Sequence, residues 1–289
     1  MIEININSET AKLKKVIVGI ADDRGNKVHE NNPKISKYLK QGSLPPESIL
    51  KKQVDNLANV IARYDVEVLR PENIKNQDQI FARDIAFAIA DKFVVSNMKK
   101  ENRKPEQDGI EYIINDIQHD RIVRVPEGAT IEGGDVLIHG RKIFVGITER
   151  TNYLGYEFIK NTFKDHEVIA FEMMLSSNPA TNILHLDCAF QPVGDKYAIV
   201  YEGGFVNRPI ELYDIFGSNN ILKITQFEMY HMFPNIFSIS PDKVISDKSF
   251  YRMNEVLHSI GIDTIEIDYQ EVCKLGGLFR CSTMPLIRD

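Results

Sequence analysis

Four side chains of the types used in nucleophilic and acid–base catalysis occur along the chain at regular steps. They are Asp84, Glu132, His185 and Cys281. The steps between them are 48, 53 and 96 residues, and Pro234-Asn235 lies near the middle of the last gap. If each step is one structural module, equivalent positions in a ring of modules point toward the same axis. We therefore expect the four side chains to converge on one pocket.

Each of these residues also has an ordinary structural interpretation when it is taken alone. Asp84 could pair with a neighbouring arginine at a strand end, and Glu132-Gly133-Gly134-Asp135 could be a turn with capping acids. His185-Leu186-Asp187 places two polar side chains on one face of an extended strand, which is typical of a hydrogen-bonded pair. A lone cysteine such as Cys281 is usually a small buried hydrophobe. The occurrence of all four at one-module steps favours a catalytic site.

The hydrophobic pattern predicts the elements that position these residues. Two short apolar strands, a helix and a third strand recur along the chain. We predict such units within residues 81–126, 130–171, 184–216 and 233–267. Within the first unit we predict one strand over 81–90 and a helix over 104–116. The third unit has only a short helix, near 209–216, and no predicted strand after it.

The segments left over form a fifth unit when the two ends of the chain are joined. They are a strand at 15–19, a helix at 46–64, a strand at 66–69 and a C-terminal strand at 279–287. Pairing of the first and last strands would close the ring and remove exposed sheet edges. The predicted fold class is α/β, a five-module ββαβ pseudo-symmetric α/β propeller, with residues 1–289 as a single catalytic domain.

One long polar stretch interrupts this pattern. Residues 22–48 lie between the first strand and the first helix and contain several glycines, asparagines and prolines. A loop of that length in a compact domain is either functional, as in an active-site lid, or a surface excursion. Both interpretations stay open at this point.

Six motifs in order along the chain resemble those of the guanidine-modifying superfamily, which includes arginine deiminases, dimethylarginine dimethylaminohydrolases and amidinotransferases. They are Phe81-Ala82-Arg83-Asp84, Asn97-Met98 followed by Arg103, Glu132-Gly133-Gly134-Asp135, Gly146-Ile147-Thr148-Glu149-Arg150-Thr151-Asn152, His185-Leu186-Asp187 and Gly277-Leu278-Phe279-Arg280-Cys281-Ser282-Thr283-Met284-Pro285-Leu286. The resemblance extends from the strand at Lys15 to Arg288. It implies a five-module α/β propeller, in agreement with the ring predicted from periodicity.

The resemblance implies a catalytic role for three residues. Cys281 would attack the central carbon of a guanidinium, and His185 would protonate the departing amine and then deprotonate the attacking water. Glu132 would position this histidine or the reacting nitrogens. Because the reaction proceeds through a covalent thiouronium, we expect no metal and no cofactor.

The same motifs imply four substrate-binding residues. Asp84 and Asp187 would accept paired N–H bonds from the edges of the guanidinium, a contact that is strong and directional. Arg103 and Arg150 match positions that bind the α-carboxylate of an amino-acid substrate. For Arg103, which lies inside a basic run, a solvated surface charge is the alternative.

The leading hypothesis is a cysteine-dependent hydrolase of linear amidines. It would cleave a C–N bond of arginine or a related guanidino compound, giving a citrulline-type product and ammonia or an alkylamine. An amidinotransferase, which passes the amidino group from Cys281 to an acceptor amine, is the alternative. A third possibility is a catalytically silent member that binds a protein or senses a guanidino metabolite.

Composition argues against several other classes of protein. The 289 residues carry 35 Lys+Arg against 41 Asp+Glu, so the net charge is −6 and nucleic acid is an unexpected partner. The apolar runs are far shorter than the roughly 20 residues of a membrane span. Three cysteines without a Cys-x-x-Cys pair argue against a disulfide framework or a zinc site. We expect a cytoplasmic monomer or homodimer that binds a small-molecule guanidino substrate and neither nucleic acid nor membrane.

Overall fold

The computed structural model describes residues 1–25 and 32–289. Its strands form five three-stranded sheets, four of which are consecutive in sequence. These four contain β3 (Ala86–Ile89), β4 (Lys92–Val95) and β5 (Ile122–Arg124); β6 (Val136–His139), β7 (Lys142–Ile147) and β8 (Glu167–Glu172); β9 (Phe190–Val193), β10 (Tyr197–Val200) and β11 (Ile221–Lys223); and β12 (Phe237–Ser240), β13 (Lys243–Asp247) and β14 (Asp263–Ile267). In each sheet the first pair of strands is antiparallel and the second is parallel, as a ββαβ unit requires.

The fifth sheet joins the two ends of the chain. It contains β15 (Thr283–Arg288), β1 (Leu13–Val18) and β2 (Glu67–Leu69), with β1 in the middle. β1 pairs antiparallel with β15, so that Ile17 lies opposite Met284, and parallel with β2. The predicted pairing of the N-terminal and C-terminal strands is therefore confirmed.

The helices are α1 (Pro33–Lys40), α2 (Glu47–Ala62), α3 (Ala82–Ile85), α4 (Glu111–Asn115), α5 (Tyr153–Thr162), α6 (Ile210–Phe216), α7 (Gln226–Tyr230), α8 (Tyr251–Ser259) and α9 (Gln270–Cys273). They connect strands within the modules or, as α3, α7 and α9 do, lead from one module to the next. None of those in the described ranges is both long and apolar enough to cross a membrane.

The core follows from the apolar periodicity of these elements. All four residues of β3 and three of the four in β4 are buried, which is typical of strands covered on both faces. On α2, Leu50, Val54 and Leu57 recur at helical spacing and are all fully buried. The helices therefore pack one apolar face on the sheets.

The structure corrects several predicted boundaries. The segment 81–90 is not one strand, because helix α3 comes before β3. The backbone of α3 bonds to the segment that carries Cys281: Arg83 N–H donates to the Cys281 carbonyl at 3.0 Å. The predicted helix near 104–116 is a 3₁₀ helix, Glu101–Ile110, followed by α4. The third unit, predicted without its last strand, has β11. Continuous apolar runs do not distinguish a turn from a strand, which explains the first error.

Short turns precede the first strand of every module. Residues of α3 lead into β3, and 3₁₀ turns at Gly133–Asp135 and Leu186–Cys188 lead toward β6 and β9. Asn235 comes just before β12, and Cys281 just before β15. The five equivalent turns thus carry the residues that sequence spacing singled out.

Candidate active site

A buried ion pair between His185 and Glu132 lies at the centre of the site. His185 Nε2 is 2.9 Å from Glu132 Oε2, and its Nδ1 is 3.7 Å from Asp84 Oδ1. Burial opposes a charge on the imidazole, but the carboxylates of Asp84, Asp135 and Glu132 raise the pKa of His185 to about 9. Burial likewise opposes the Glu132 charge, yet His185 and Arg150 lower its pKa to about 2. The pair is therefore imidazolium and carboxylate at neutral pH.

Cys281 lies in the turn before β15, and a buried asparagine holds that turn. The side-chain oxygen of Asn235 accepts hydrogen bonds from the backbone N–H groups of Cys281 at 3.1 Å and Leu278 at 3.2 Å. Cys281 Sγ is 3.7 Å from Asp187 Oδ2. Burial, together with the negative charges of Asp187 and Asp84, raises the pKa of the Cys281 thiol well above its ordinary value. The sulfur is therefore a neutral thiol in the free protein.

The predicted strand geometry of His185-Leu186-Asp187 is wrong. His185 has an extended backbone, but residues 186–188 form a 3₁₀ turn in which Cys188 N–H donates to the His185 carbonyl at 3.0 Å. Asp187 therefore faces Cys281 and accepts a hydrogen bond from Arg280 Nη1 at 2.9 Å. It is not among the described residues that line the cavity. Its assignment as a guanidinium ligand stays a prediction.

Arg103 and Arg150 both line the site, and neither is a solvated surface charge. Arg103 Nη1 donates to Asp84 Oδ2 at 2.7 Å, and its Nε and Nη2 donate to the two oxygens of Glu106 at 2.8 and 2.9 Å. Arg150 Nη1 lies 3.3 Å from both oxygens of Glu132. Both guanidinium groups are buried. Their predicted contact with a substrate carboxylate stays a prediction.

The cavity between these residues is small. Asp84, His185 and Cys281 share its wall with Ile35 and Phe81, and its volume is about 20 Å³. A cavity of that volume holds about one water molecule. Of the predicted loop 22–48, residues 33–40 form α1, and residues 26–31 lie outside the described part of the chain. The interpretation of this segment as a lid therefore stays a prediction.

Two glycines allow Phe81 and Asn32 to lie close to the segment that carries Cys281. A Cβ on Gly277 would lie 2.5 Å from the Phe81 ring and 2.9 Å from Cys281 Cβ. Gly276 has a φ of +92°, and a Cβ there would lie 2.7 Å from the Asn32 side chain. Any other residue at these positions would push the segment carrying Cys281 away from Phe81 and Asn32.

Asp84, Glu132 and His185 also have the geometry of a possible metal site. One ligand atom from each lies within 4.8 Å of the others. However, Arg103 Nη1 is 2.7 Å from Asp84 and 3.9 Å from Glu132, so a guanidinium already lies between the two carboxylates. His185 Nε2 is also engaged, at 2.9 Å from Glu132, and a hydrogen-bonded imidazole and carboxylate are equally suited to acid–base work. The absence of a metal stays a prediction that a chelator can test.

Comparison with known proteins identifies the family. A model of the N,N-dimethylarginine dimethylhydrolase family, in its eukaryotic form, matches residues 26–288. The chain belongs to this family. The predicted membership of the guanidine-modifying superfamily is therefore confirmed.

Individual relatives agree with this assignment. The chain is 29% identical over 239 residues to the uncharacterized protein YkgA of Bacillus subtilis, covering 82% of this chain and 79% of YkgA. It is 24% identical over 221 residues to the N(G),N(G)-dimethylarginine dimethylaminohydrolase of Pseudomonas aeruginosa, covering 76% and 82%.

Solved structures of this superfamily have the same fold. The amidinotransferase SxtG from Microseira wollei superposes with a TM-score of 0.80 at 18% identity, covering 99% of this chain and 97% of SxtG. The N-terminal domain of ArgZ, an arginine dihydrolase of cyanobacteria, gives a TM-score of 0.82 at 18% identity, covering 96% and 98%. The predicted five-module α/β propeller is confirmed.

Three members of the site in this dimethylarginine dimethylhydrolase family protein were missed from the sequence. Asn235 lies one module after His185 and one before Cys281, so the regular spacing could have identified it as a site residue. Arg280 bridges Asp187 and Glu9, donating to Glu9 Oε1 at 2.9 Å. The partners Glu9 and Arg280 are 271 residues apart, and no local pattern joins them.

Proposed function

We propose that the protein is a cysteine-dependent hydrolase that cleaves a C–N bond of a guanidino compound through a covalent intermediate on Cys281. The observation that carries this proposal is the shared cavity of Cys281, His185 and Asp84, which come from three different modules. Family membership narrows the chemistry to guanidino groups, and it leaves the individual substrate open.

Asp84 is suited to hold the substrate. Its Oδ2 is bonded to Arg103, whereas its buried Oδ1 has no hydrogen-bond partner among the described residues. A buried acceptor without a donor is unfavourable, so a guanidinium N–H that reached Oδ1 would be strongly bound. Asp84 therefore orients the planar cation against the Cys281 sulfur.

The bound cation also activates the nucleophile. Carboxylate charges keep Cys281 protonated in the free protein, and a positive substrate beside Asp84 offsets them. The thiol loses its proton to solvent as the cation binds, and the sulfur attacks the central carbon. The C–N bond then breaks, and its electron pair stays on the nitrogen, which takes a proton from His185.

The second half of the reaction returns the enzyme to its starting state. Water adds to the thiouronium carbon and gives one proton to His185, which was left neutral by the first half. The C–S bond breaks, and the sulfur takes the remaining hydroxyl proton. Glu132 stabilises the imidazolium in both halves through its hydrogen bond at 2.9 Å. The products are a ureido compound and an amine.

A panel of guanidino compounds with product identification tests the proposal. Acid-quenched intact mass should reveal a covalent adduct on Cys281 during turnover. Cys281→Ser should abolish turnover and leave substrate binding measurable, because a hydroxyl is a far weaker nucleophile at neutral pH. Cys188→Ser is the matched control and should keep the adduct. Normal turnover by Cys281→Ser would contradict the proposal.

An amidinotransferase is the second candidate, because the chain shares its fold with the amidinotransferase SxtG. It forms the same Cys281 intermediate and differs in whether an amine or water resolves it. Incubation with arginine, with and without glycine or a diamine, separates the two reactions. Citrulline in both mixtures supports hydrolysis, and ornithine that forms only with the acceptor supports transfer.

A chelator tests the expectation that no metal takes part. EDTA treatment should leave turnover unchanged, because the charges of Asp84 and Glu132 are already balanced by Arg103, Arg150 and His185. Loss of activity that Zn²⁺ or Mg²⁺ restores would show that the cluster holds an ion.

A further inference from the structure

Cys273 differs from the other two cysteines in the charge of its neighbour. The sulfur atoms of Cys188 and Cys281 each lie 3.7 Å from a carboxylate oxygen of Asp187. Burial and this negative charge raise the pKa of both thiols well above its ordinary value, so both stay protonated. Cys273 Sγ instead lies 3.0 Å from the ammonium nitrogen, Nζ, of Lys34. A neighbouring cation favours the thiolate, which is the form that reacts with oxidants.

Lys34 is buried, and no carboxylate among the described residues forms an ion pair with it. The residue is 8% exposed. Its Nζ donates to the Tyr230 carbonyl at 2.5 Å and lies 4.6 Å from the centre of the Tyr230 ring. Glu271, two residues before Cys273, pairs with Lys274 at 2.8 Å. A buried ammonium is costly without an anion, so the sulfur of Cys273 is the group placed to balance its charge.

A second small cavity, which we call the side cavity, lies beside this pair. Lys34, Tyr230 and Cys188 are among the residues that line it, and its volume is about 30 Å³. That volume holds roughly two water molecules, so a molecule as small as hydrogen peroxide fits. Cys273 is only 3% exposed, which excludes bulky thiols and other proteins. The amine of Lys34 is therefore the nucleophile closest at hand for an oxidised Cys273 sulfur.

We propose that Lys34 and Cys273 are a modification site at which hydrogen peroxide joins the two side chains through a sulfur–nitrogen (sulfenamide) bond. The Cys273 thiolate attacks one oxygen of the peroxide, and the O–O bond breaks. The departing hydroxide takes a proton from the Lys34 ammonium and leaves as water, so that a sulfenic acid faces a neutral amine.

The second step closes the crosslink. The amine of Lys34 attacks the sulfur, the S–N bond forms, and the S–O bond breaks. The hydroxyl leaves with one amine proton as a second water. The sulfur is thereby oxidised by two electrons, one peroxide is reduced to two waters, and the protein loses two hydrogen atoms. The reaction needs neither Cys281 nor a guanidino substrate, so it is independent of the proposed function.

The crosslink would tie helix α1 to the segment that leads to Cys281. Lys34 lies in α1, and Cys273 is the last residue of α9. Asn32 already joins the same two segments through its hydrogen bond to the Leu275 carbonyl at 3.0 Å. Ile35, next to Lys34, lines the cavity that Cys281 shares. Oxidation would therefore fix one wall of that cavity, and a bond between residues 239 positions apart would also restrict the unfolded chain.

Peptide mapping of the unmodified protein tests the proposal without any variant. After stepwise addition of hydrogen peroxide and blocking of free thiols with iodoacetamide, digestion with trypsin should give two peptides joined between Lys34 and Cys273. Their mass should be two hydrogens below the sum of the separate peptides, and dithiothreitol should separate them. The Tm of the oxidised protein should rise by roughly 5–10 °C. Full alkylation of Cys273 while Cys188 or Cys281 is oxidised would overturn the proposal.

Three variants test the chemistry of the pair. Lys34→Arg keeps the cation and removes the amine, so Cys273 should still oxidise to a sulfenic acid that dimedone traps, without a crosslink. Lys37→Arg is the matched control, because Lys37 lies on the same helix and donates to Tyr230 Oη at 2.8 Å. Cys188→Ser removes the thiol that lines the side cavity. Both controls should keep the crosslink, and its loss in either, or its persistence in Lys34→Arg, would contradict the assignment.

Discussion

At the scale of single residues, the site is a set of charges that are costly to bury alone and are stable together. Glu132 is fully buried and contacts both His185 and Arg150. Removing one partner would leave the other charge buried and unpaired in the protein interior, which solvates charges poorly. The protonation states of this site are therefore part of its stability, and two predictions follow from individual pKa shifts.

The first prediction concerns the pH dependence of stability. Because the pKa of His185 is raised from 6.5 to about 9, its contribution is fully present below pH 6.5 and is lost as pH rises through about 9. We expect the difference in unfolding free energy between the unmodified protein and His185→Asn to fall over that window by on the order of 1–3 kcal/mol. Urea denaturation at a series of pH values measures it.

His139 supplies the control with the opposite sign. Burial lowers the pKa of His139, so the folded state favours its neutral form. The difference in unfolding free energy between the unmodified protein and His139→Asn should therefore grow as pH rises toward 6.5. Parallel pH profiles for the two variants would contradict the assignment of the His185 shift to its carboxylate partners.

The second prediction concerns the thiol. The charge of Asp187 is the largest contribution after burial to the raised pKa of Cys281. Asp187→Asn keeps an oxygen for Arg280 and removes the negative charge, so the midpoint of Cys281 alkylation should fall to a lower pH. Iodoacetamide labelling followed by peptide mass mapping measures the midpoint. Asp120→Asn, at an exposed carboxylate, should leave it unchanged.

At the scale of elements, the turns before the first strands and helix α1 enclose the reaction site. Asn32 caps α1 by accepting from Ile35 N–H at 2.9 Å, and the same side chain donates to the Leu275 carbonyl at 3.0 Å. One residue thereby both begins the helix and attaches it to the segment leading to Cys281. The position of α1 over the cavity depends on this double contact.

The third prediction follows from that contact. Asn32→Ala should cost about 1 kcal/mol of stability, as the loss of an N-cap does, and should speed Cys281 alkylation at fixed pH because α1 opens more often. Asn152→Ala is the matched control, since Asn152 caps α5 with a bond of 2.9 Å from Gly155 N–H. It should lose similar stability without a change in the labelling rate. Equal labelling of both variants would show that α1 does not limit access.

At the scale of the whole molecule, the ring is closed by strands from opposite ends of the chain. β15 pairs with β1, and Arg288 donates to the Ala11 carbonyl at 2.6 Å and the Ser238 carbonyl at 2.8 Å. The closing strand follows Cys281 by two residues, so closure of the ring and placement of the sulfur are coupled. We infer that residues 1–289 form a single domain that unfolds as one unit.

The fourth prediction tests whether the domain unfolds as one unit. Unfolding in urea, followed by far-UV circular dichroism and by thiol labelling of Cys281, should give coincident transitions. Arg288→Leu should lower both midpoints equally, by a free energy on the order of 1–3 kcal/mol, because it removes two hydrogen bonds, one of them to the carbonyl of the buried Ser238. Lys14→Ala, which removes an exposed pair with Asp289, should change little. Separate transitions would mean that the modules unfold independently.

The sequence by itself determined the repeat, its closure and part of the site. Hydrophobic periodicity is a local property that short segments display, so strands such as β7 and β13 could be predicted without tertiary information. The order of the motifs identified the superfamily, and their spacing predicted that Asp84, Glu132, His185 and Cys281 would meet.

Only the tertiary structure decided what each side chain faces. The 3₁₀ turn at 186–188 directs Asp187 to Arg280, and the burial of Arg103 pairs it with Glu106 instead of solvent. Asp187 and Arg280 are 93 residues apart, whereas Glu106 is only three residues from Arg103 and pairs with it in the interior because the fold buries both side chains. A buried charge needs a partner, and whether a charged residue is buried is decided by the fold and not by its neighbours in sequence.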